Sequence, residues 1–173
     1  MKSCAFFGHA DIDYRAYEDD IESIIIILIE KYNVTQFYTG GRGAFDGICS
    51  DILLKLKRSY PYIKNTLVLS YMPKKGQVLA RKYDDSVYLL EQNVPPRCAI
   101  IQTNKALVDK VDFVVTAVRR NWGGAKIAYD YAYKRGKIFV NIFWRRRGVC
   151  FLFSYVEIFA LLRTDGSELG YFL

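Results

Sequence analysis

The alternation of short apolar runs with amphipathic segments constrains the fold of this 173-residue chain more than any other feature. The apolar runs predict five strands, at residues 4–7, 37–39, 66–69, 113–116 and 138–142. In the segments between them, apolar residues recur at helical spacing. Strands that alternate with helices predict an α/β fold, a three-layer sandwich in which helices cover both faces of a mainly parallel sheet.

The same periodicity predicts four helices, at about residues 17–29, at about 45–60, at about 99–110, and between Gly124 and Gly136. Asp11 or Asp13 is a candidate cap for the start of the first helix. Gly136 suits the end of the last helix, because glycine readily adopts the left-handed conformation found there. Residues 72–98 contain three of the four prolines and predict a long functional loop or lid.

The last thirty residues do not follow this alternation, so we expect a domain at residues 1–143 and an extension at 144–173. The extension is expected to form a helix that packs on the domain or at the interface of a homodimer. The apolar run at 149–162 is too short to span a bilayer, and the first residues contain no stretch that resembles a signal peptide. We therefore expect no membrane partner.

The cysteines and the single histidine lack the spacing of a zinc site. The four cysteines lie more than forty positions apart, and no C-x-x-C pair occurs. Cys4 and Cys49 fall within apolar patterns, which predicts buried thiols that behave as small apolar groups. Free buried thiols are typical of a reducing compartment, so we expect a cytoplasmic protein without a bound metal.

The positive charge is concentrated in one segment. The chain has a net charge of +7, and residues 119–147 carry +8, with nine basic residues and one acidic residue, Asp130. A local cationic segment of this kind suits a small anion or a phosphate as well as it suits nucleic acid. The alternative interpretation is a solvated basic face without a ligand.

Three glycine-containing loops follow predicted strands. Ligands of parallel α/β sheets bind beyond the carboxyl ends of the strands, where loops lead into helix N-termini, and free backbone N–H groups there attract phosphate. These loops predict a ligand site built from Gly8, His9, Thr39, Gly40, Gly41, Arg42, Gly43, Asp46, Trp122, Gly123 and Gly124. Each has a simpler alternative: a tight turn for the glycines, a helix cap for Asp46 and a structural role for the lone histidine.

The motifs together resemble those of a known group of proteins. The matching segments are 6–9, 37–46, 93–100, 122–124 and 132–137, together with Asn104. The chain resembles the SLOG superfamily of Rossmann-like proteins, and most of all its small single-domain bacterial members. That superfamily includes the cytokinin-activating phosphoribohydrolases and the DNA-processing protein A domain.

This resemblance implies a Rossmann-like sheet whose glycine loops hold a nucleotide-derived ligand, and it adds Arg97 and Asn104 to the predicted site. The sequence departs from the pattern in three places: at two positions within it, and beyond about residue 142, where the likeness ends. Ala10 and Thr103 stand where the family usually has arginine. Arg42, Arg97 or Arg119 is a candidate to supply the missing charge.

Three functions remain open from the sequence. The first is binding of a nucleotide or nucleotide-derived ligand, as in a sensor, with no further cofactor. The second is hydrolysis of an N-glycosidic bond, because Asp130 falls at the position of the phosphoribohydrolase glutamate. Lys126 and Ile127 are bulkier than the Gly-Thr pair of those enzymes, so we predict little turnover. The third, DNA binding, we rank last because the sequence contains no helix-turn-helix or zinc module.

Overall fold

Six strands form one parallel sheet in the computed structural model, which describes residues 1–72, 79–90 and 94–143. The strands run in the order β4-β3-β2-β1-β5-β6, and each pair of neighbours is parallel. Their bounds are β1 Lys2–Gly8, β2 Val34–Thr39, β3 Lys64–Leu69, β4 Asp85–Tyr88, β5 Phe113–Ala117 and β6 Ile138–Asn141. The predicted parallel sheet is confirmed.

Two pairs of helices cover the two faces of this sheet. The helices are α1 Glu18–Glu30, α2 Ala44–Leu56, α3 Pro96–Lys110 and α4 Gly124–Lys134. On one face, α1 and α2 bury Ile25 and Leu53 in a core with Phe6 and Phe37. On the other face, α3 and α4 bury a second apolar cluster against β1 and β5. The α/β sandwich of three layers is therefore confirmed.

The structure corrects three details of the predicted elements. The segment predicted as irregular contains the edge strand β4, whose polar and half-exposed residues hide it from an apolar-run criterion. The third helix begins at Pro96, since proline is favoured in the first helical turn. Neither predicted aspartate caps the first helix: Asp11 pairs with Arg120, and Asp13 pairs with Arg15.

The strand order fixes where a ligand site can form. From β1 the chain builds the sheet outward through β2 and β3 on one side, and later through β5 and β6 on the other. The loops that leave β1, β2 and β5 therefore meet at the carboxyl edge, at the point where the order reverses. This switch point is where ligands bind in open α/β sheets.

Several predictions concern residues that the structure does not describe. The extension at 144–173, Cys150 and parts of the predicted lid, 73–78 and 91–93, lie outside the described residues. Within the described ranges, no helix is long and apolar enough to cross a membrane. Cys4 and Cys49 are fully buried free thiols, as predicted, and burial raises the pKa of both above the ordinary thiol value.

Gly8, the last residue of β1, lets the strand approach helix α2 closely. An ideal Cβ atom at Gly8 would lie 2.4 Å from Cβ of Phe45. The Phe45 ring is buried between Phe6 and Tyr14 and has little room to move aside. The absence of a side chain at Gly8 is therefore a packing requirement.

We predict that Gly8→Ala lowers the free energy of unfolding by about 1–3 kcal/mol, because the added methyl group overpacks the core at Phe45. Urea denaturation followed by circular dichroism measures the change. Gly47→Ala is the matched control, since a Cβ atom there meets nothing within 4 Å and the site lies inside α2. The control is expected to gain about 0.5–1 kcal/mol from helix propensity. Equal stability of the two variants would contradict the packing argument.

Candidate functional site

A crevice of about 420 Å³ opens at the carboxyl edge of the sheet, between the loops that follow β1, β2 and β5 and one face of α3. Its floor is apolar and includes Phe7, Val68, Ile100 and Leu107. Polar and charged groups from the three loops surround this floor. A concave site of this size with an apolar floor and a few polar groups is typical of small-molecule binding.

Most residues predicted from the glycine loops converge on this crevice. Ten of the thirteen line it: Gly8, His9, Gly40, Arg42, Gly43, Asp46, Asn104, Trp122, Gly123 and Gly124. Their role toward a ligand remains a prediction.

The other three predicted residues lie elsewhere. Thr39 is fully buried below the crevice, where its hydroxyl donates to Oδ1 of Asn65 at 3.1 Å. Gly41 does not line the crevice; it has a φ of +64°, and a Cβ atom there would lie 2.6 Å from the Leu67 side chain. Arg97 is exposed in the first turn of α3 and does not line the crevice.

The loop between β2 and α2 binds an anion from its own chain. Asp46 is the third residue of α2, and its carboxylate accepts hydrogen bonds from the backbone N–H groups of Gly40 and Arg42, both at 3.1 Å. Burial raises the pKa of Asp46, while N–H donors from Arg42, Gly40 and Gly43 and the Arg42 charge lower it. The amides of Gly40 and Arg42, which the sequence predicts to face a phosphate, therefore already have an internal partner.

His9 holds the loop between β5 and α4 in place. Its Nε2 atom accepts hydrogen bonds from the backbone N–H groups of Arg119 and Arg120, at 3.3 Å and 3.2 Å. Because Nε2 is the acceptor, the neutral ring carries its proton on Nδ1. Burial lowers the pKa of His9, and the nearby Arg120 charge lowers it further, whereas Asp11 raises it. The neutral ring is the form that these two bonds require.

The Nδ1 atom of His9 faces the start of helix α4. It lies 3.9 Å from the position that a Cβ atom would take at Gly123. Gly123 is the N-cap residue, has a φ of +96° and places no capping side chain on the helix amides. The ring is only 6% exposed, and within the described residues its Nδ1–H has no hydrogen-bond partner. A side-chain donor that lines the crevice thus lies beside a helix end that attracts anions.

Asn104 stands beside the same helix end. Its Nδ2 atom lies 3.7 Å from the position of a Cβ atom at Gly124, the first residue of α4. The paired glycines therefore leave open the space between α4 and the amide of Asn104. Together with His9, this amide gives the start of α4 two neutral side-chain donors. Neutral donors and a helix dipole form an effective site for a phosphate group.

Besides Asp11 and Arg120, two polar residues of the crevice, Thr103 and Ser70, were not among the predicted ligand residues. The hydroxyl of Thr103 is buried, with the residue 2% exposed, and it has no partner among the described residues. Ser70 also lines the crevice and comes directly after β3. Its place at the carboxyl end of a strand is the signal that would have identified it. Thr103 carries no sequence signal beyond its position next to Asn104.

Two arginines that line the crevice, Arg42 and Arg120, lie close to aromatic rings. The Arg120 guanidinium lies 5.2 Å from the Trp122 ring centre and pairs with Asp11 at 2.7 Å. The Arg42 guanidinium lies 4.8 Å from the ring centre of Tyr71. Trp122 is 66% exposed, so most of its ring is accessible. Exposed rings with nearby arginines are suited to stacking on flat, negatively charged ligands.

The hydrolase candidate Asp130 lies outside this crevice. Its carboxylate pairs with Nζ of Lys126 one turn earlier on α4, and neither residue lines the site. The carboxylates that do line it belong to Asp11 and Asp46. Among the described residues, no group of three or more His, Cys, Asp or Glu side chains is arranged to hold a metal ion.

Comparison with known proteins adds evidence on the fold. No protein-family model and no curated protein matches the sequence. Solved structures of DNA processing protein A from two bacteria are similar to it. For the protein of Streptococcus pneumoniae, the TM-score is 0.61 and the identity is 15% over 98% of this chain. For the protein of Helicobacter pylori, which is described as binding single-stranded DNA, the TM-score is 0.55 and the identity is 12% over 95% of this chain.

These likenesses extend over different shares of the two proteins. The chain spans 58% of the Streptococcus protein and 81% of the Helicobacter protein. At identities this low, the similarity establishes the fold alone. The chain has a Rossmann-like fold related to that of DNA processing protein A, which agrees with the fold implied by the motifs.

We predict that His9, the only histidine, titrates below the ordinary imidazole pKa of about 6.5. Protonation of Nε2 breaks both loop hydrogen bonds, so the unfolded chain binds this proton more readily than the folded chain. Above a pH of about 6.5, His9 is neutral in both states, so its titration should not change the free energy of unfolding. As the pH drops from there toward the folded-state pKa, the free energy of unfolding should fall.

Proton NMR of the single imidazole C2–H signal measures the midpoint. Urea denaturation over the same pH range measures the linked stability. The variant His9→Asn should lack this component, while the pH dependence due to Asp46 remains in both proteins and cancels in the comparison. A titration midpoint at or above 6.5 would show that His9 is not held as the neutral acceptor.

Proposed function

We propose that this protein binds a nucleotide in the crevice, with its phosphate at the start of α4 and its base over the apolar floor. One observation carries the proposal: Nδ1 of His9, which lines the crevice and donates no hydrogen bond to the protein within the described residues, lies beside the uncapped start of α4 at Gly123. A charged acceptor forms a stronger hydrogen bond with such a donor than water does. An anion at the helix end supplies that bond.

The surroundings of this helix end support a phosphate as the anion. The backbone amides of the first turn of α4 have no side-chain cap, and Asn104 adds an amide beside Gly124. Arg120, which is paired with Asp11, also lines the crevice and is the guanidinium that a phosphate there would draw on. Hydrogen bonds from these groups to a charged phosphate are each worth about 1.5–3 kcal/mol.

The apolar floor of the crevice supports a base. Ile100, which is 39% exposed, supplies apolar surface for a flat ring. Ser70 also lines the crevice and offers a hydroxyl for the polar edge of the base. A site that combines an apolar floor with a few oriented polar groups gains both affinity and specificity. We therefore propose a binding protein or sensor for a nucleotide.

Binding without hydrolysis fits the position of Asp130, the residue that aligns with the phosphoribohydrolase glutamate. Cleavage of an N-glycosidic bond requires a carboxylate at the ribose, within reach of the reacting atoms. The candidate Asp130 is held by Lys126 outside the crevice.

Single-stranded DNA is a second candidate ligand for the same crevice. Two arginines that line the crevice favour it, because each lies close to an aromatic ring: Arg120 to Trp122, and Arg42 to Tyr71. Proteins that bind single strands combine stacking rings with cationic side chains along the backbone. The similar protein of Helicobacter pylori is described as binding single-stranded DNA, which gives this candidate further support.

We predict that Asn104→Ala weakens binding of adenosine monophosphate about tenfold or more, because a hydrogen bond to a charged phosphate is lost. Isothermal titration calorimetry measures the affinity. Gln102→Ala is the matched control, since Gln102 is exposed on the same helix and does not line the crevice. An affinity of Asn104→Ala equal to that of Gln102→Ala would exclude the proposed phosphate position.

The salt dependence of binding separates the two candidate ligands. A strand that contacts several phosphates loses affinity with a log–log slope of about −0.7 per phosphate, whereas one nucleotide loses much less. We expect a shallow slope for adenosine monophosphate. Should DNA be the ligand, oligothymidylate will bind more tightly than the mononucleotide, with a steep slope, and Trp122→Ala will weaken its binding by about 1–3 kcal/mol.

A further inference from the structure

Tyr14 is a buried tyrosine in the loop that leaves β1, and it is only 2% exposed. Its ring packs on Phe45 of α2, with the ring centres 5.0 Å apart, and on Phe143 after β6, with the centres 6.1 Å apart. Phenylalanine would fill this aromatic environment equally well. A buried hydroxyl is costly without a hydrogen bond, so its partners are what distinguish tyrosine from phenylalanine here.

The hydroxyl of Tyr14 connects the loop that carries His9 to the end of β5. It donates to the carbonyl of His9 at 3.0 Å and lies 3.4 Å from the carbonyl of Ala117, the last residue of β5. A hydroxyl has one hydrogen to donate, so the shorter bond to His9 is the stronger one. The bond folds the loop at 9–14 back on its first residue and holds it against β5.

The donor is permanent at neutral pH. Burial raises the pKa of the Tyr14 hydroxyl above the ordinary phenol value of about 10. The hydroxyl therefore keeps its proton throughout the range in which His9 titrates, and a change in the charge of His9 does not remove the donor.

The bond from Tyr14 acts on the same residue as the contacts of the His9 ring. His9 accepts from Tyr14 through its carbonyl, and it accepts from the amides of Arg119 and Arg120 through Nε2. The loop after β1 is thus joined to the chain after β5 through both the main chain and the side chain of His9. An ion pair between Asp11 and Arg120 joins the same loops, but the Asp11 side chain is 64% exposed, so water screens it.

From this geometry we infer that Tyr14 is a positioning residue of the ligand site: its hydroxyl fixes the main chain of His9, so that the imidazole ring lies beside the start of α4. Tyr14 does not line the crevice and acts only through His9. The inference rests on the proposed function, since it assumes that a phosphate binds beside His9. Without the hydroxyl, the carbonyl of His9 loses the Tyr14 donor and the ring is held less firmly.

The test compares Tyr14→Phe with the unmodified protein by isothermal titration calorimetry with adenosine monophosphate. We expect the affinity to fall about threefold or more, because the bond that positions His9 is lost while the ring contacts remain. Tyr38→Phe is the matched control and should bind as the unmodified protein does. It removes a hydroxyl from a half-buried tyrosine of β2 that does not line the crevice.

A second measurement separates positioning from a general loss of stability. His9 is the only histidine, so its C2–H signal in proton NMR reports its titration directly. In Tyr14→Phe the midpoint should rise toward the ordinary imidazole pKa of about 6.5, because the Nε2 acceptor is held less firmly. Asp11 and Arg120, the charges that act on the ring, are unchanged in this variant. A purely structural Tyr14 would lower the free energy of unfolding and leave the midpoint where it is.

An affinity or a His9 midpoint in folded Tyr14→Phe equal to that of Tyr38→Phe would overturn the inference and leave nucleotide binding intact. Failure of the unmodified protein to bind adenosine monophosphate would instead refute the proposed function and this inference with it. If Tyr14→Phe is unstable in buffer alone, the three proteins are compared with trimethylamine N-oxide, an osmolyte that favours the folded state.

Discussion

The backbone after β1 touches the backbone at the start of α2, and the geometry of the crevice depends on this contact. A Cβ atom at Gly43 would lie 2.6 Å from Cα of Ala10, and the amide of Ala44 donates to the carbonyl of Ala10 at 3.1 Å. Gly8, at the end of β1, permits a similar close approach of the strand to Phe45 of α2. The contact fixes α2, and with it Asp46, beside the loop that carries His9.

His9 connects this fixed region to the loop on the other side of the switch point of the sheet. Its ring ties the end of β1 to the loop that follows β5, through two backbone amides. One side of the crevice is thus set by packing and the other by hydrogen bonds to a single ring. Both sides rest on main-chain groups, which gives the site a rigid frame that does not depend on flexible side chains.

The sequence predicted the sheet well because buried parallel strands read as continuous apolar runs. It missed β4 because Asp85 and Ser86 make that edge strand polar. The glycine loops were located correctly, since turns between a strand and a helix have a local signature. Their hydrogen-bond partners were not predicted, because the Asp46 bonds and the Nε2 bonds of His9 depend on side-chain orientation in the folded protein.

His9 is used twice, and this limits how the protein can change. One ring nitrogen maintains the loop before α4, and the other faces the space where we expect the ligand. A substitution that tunes ligand preference at this position also disturbs the loop. Asn104 is only half-buried and forms no side-chain hydrogen bond within the described residues, so it is free of that structural duty. New ligand preferences are therefore expected to evolve at Asn104, where adaptation competes less with folding.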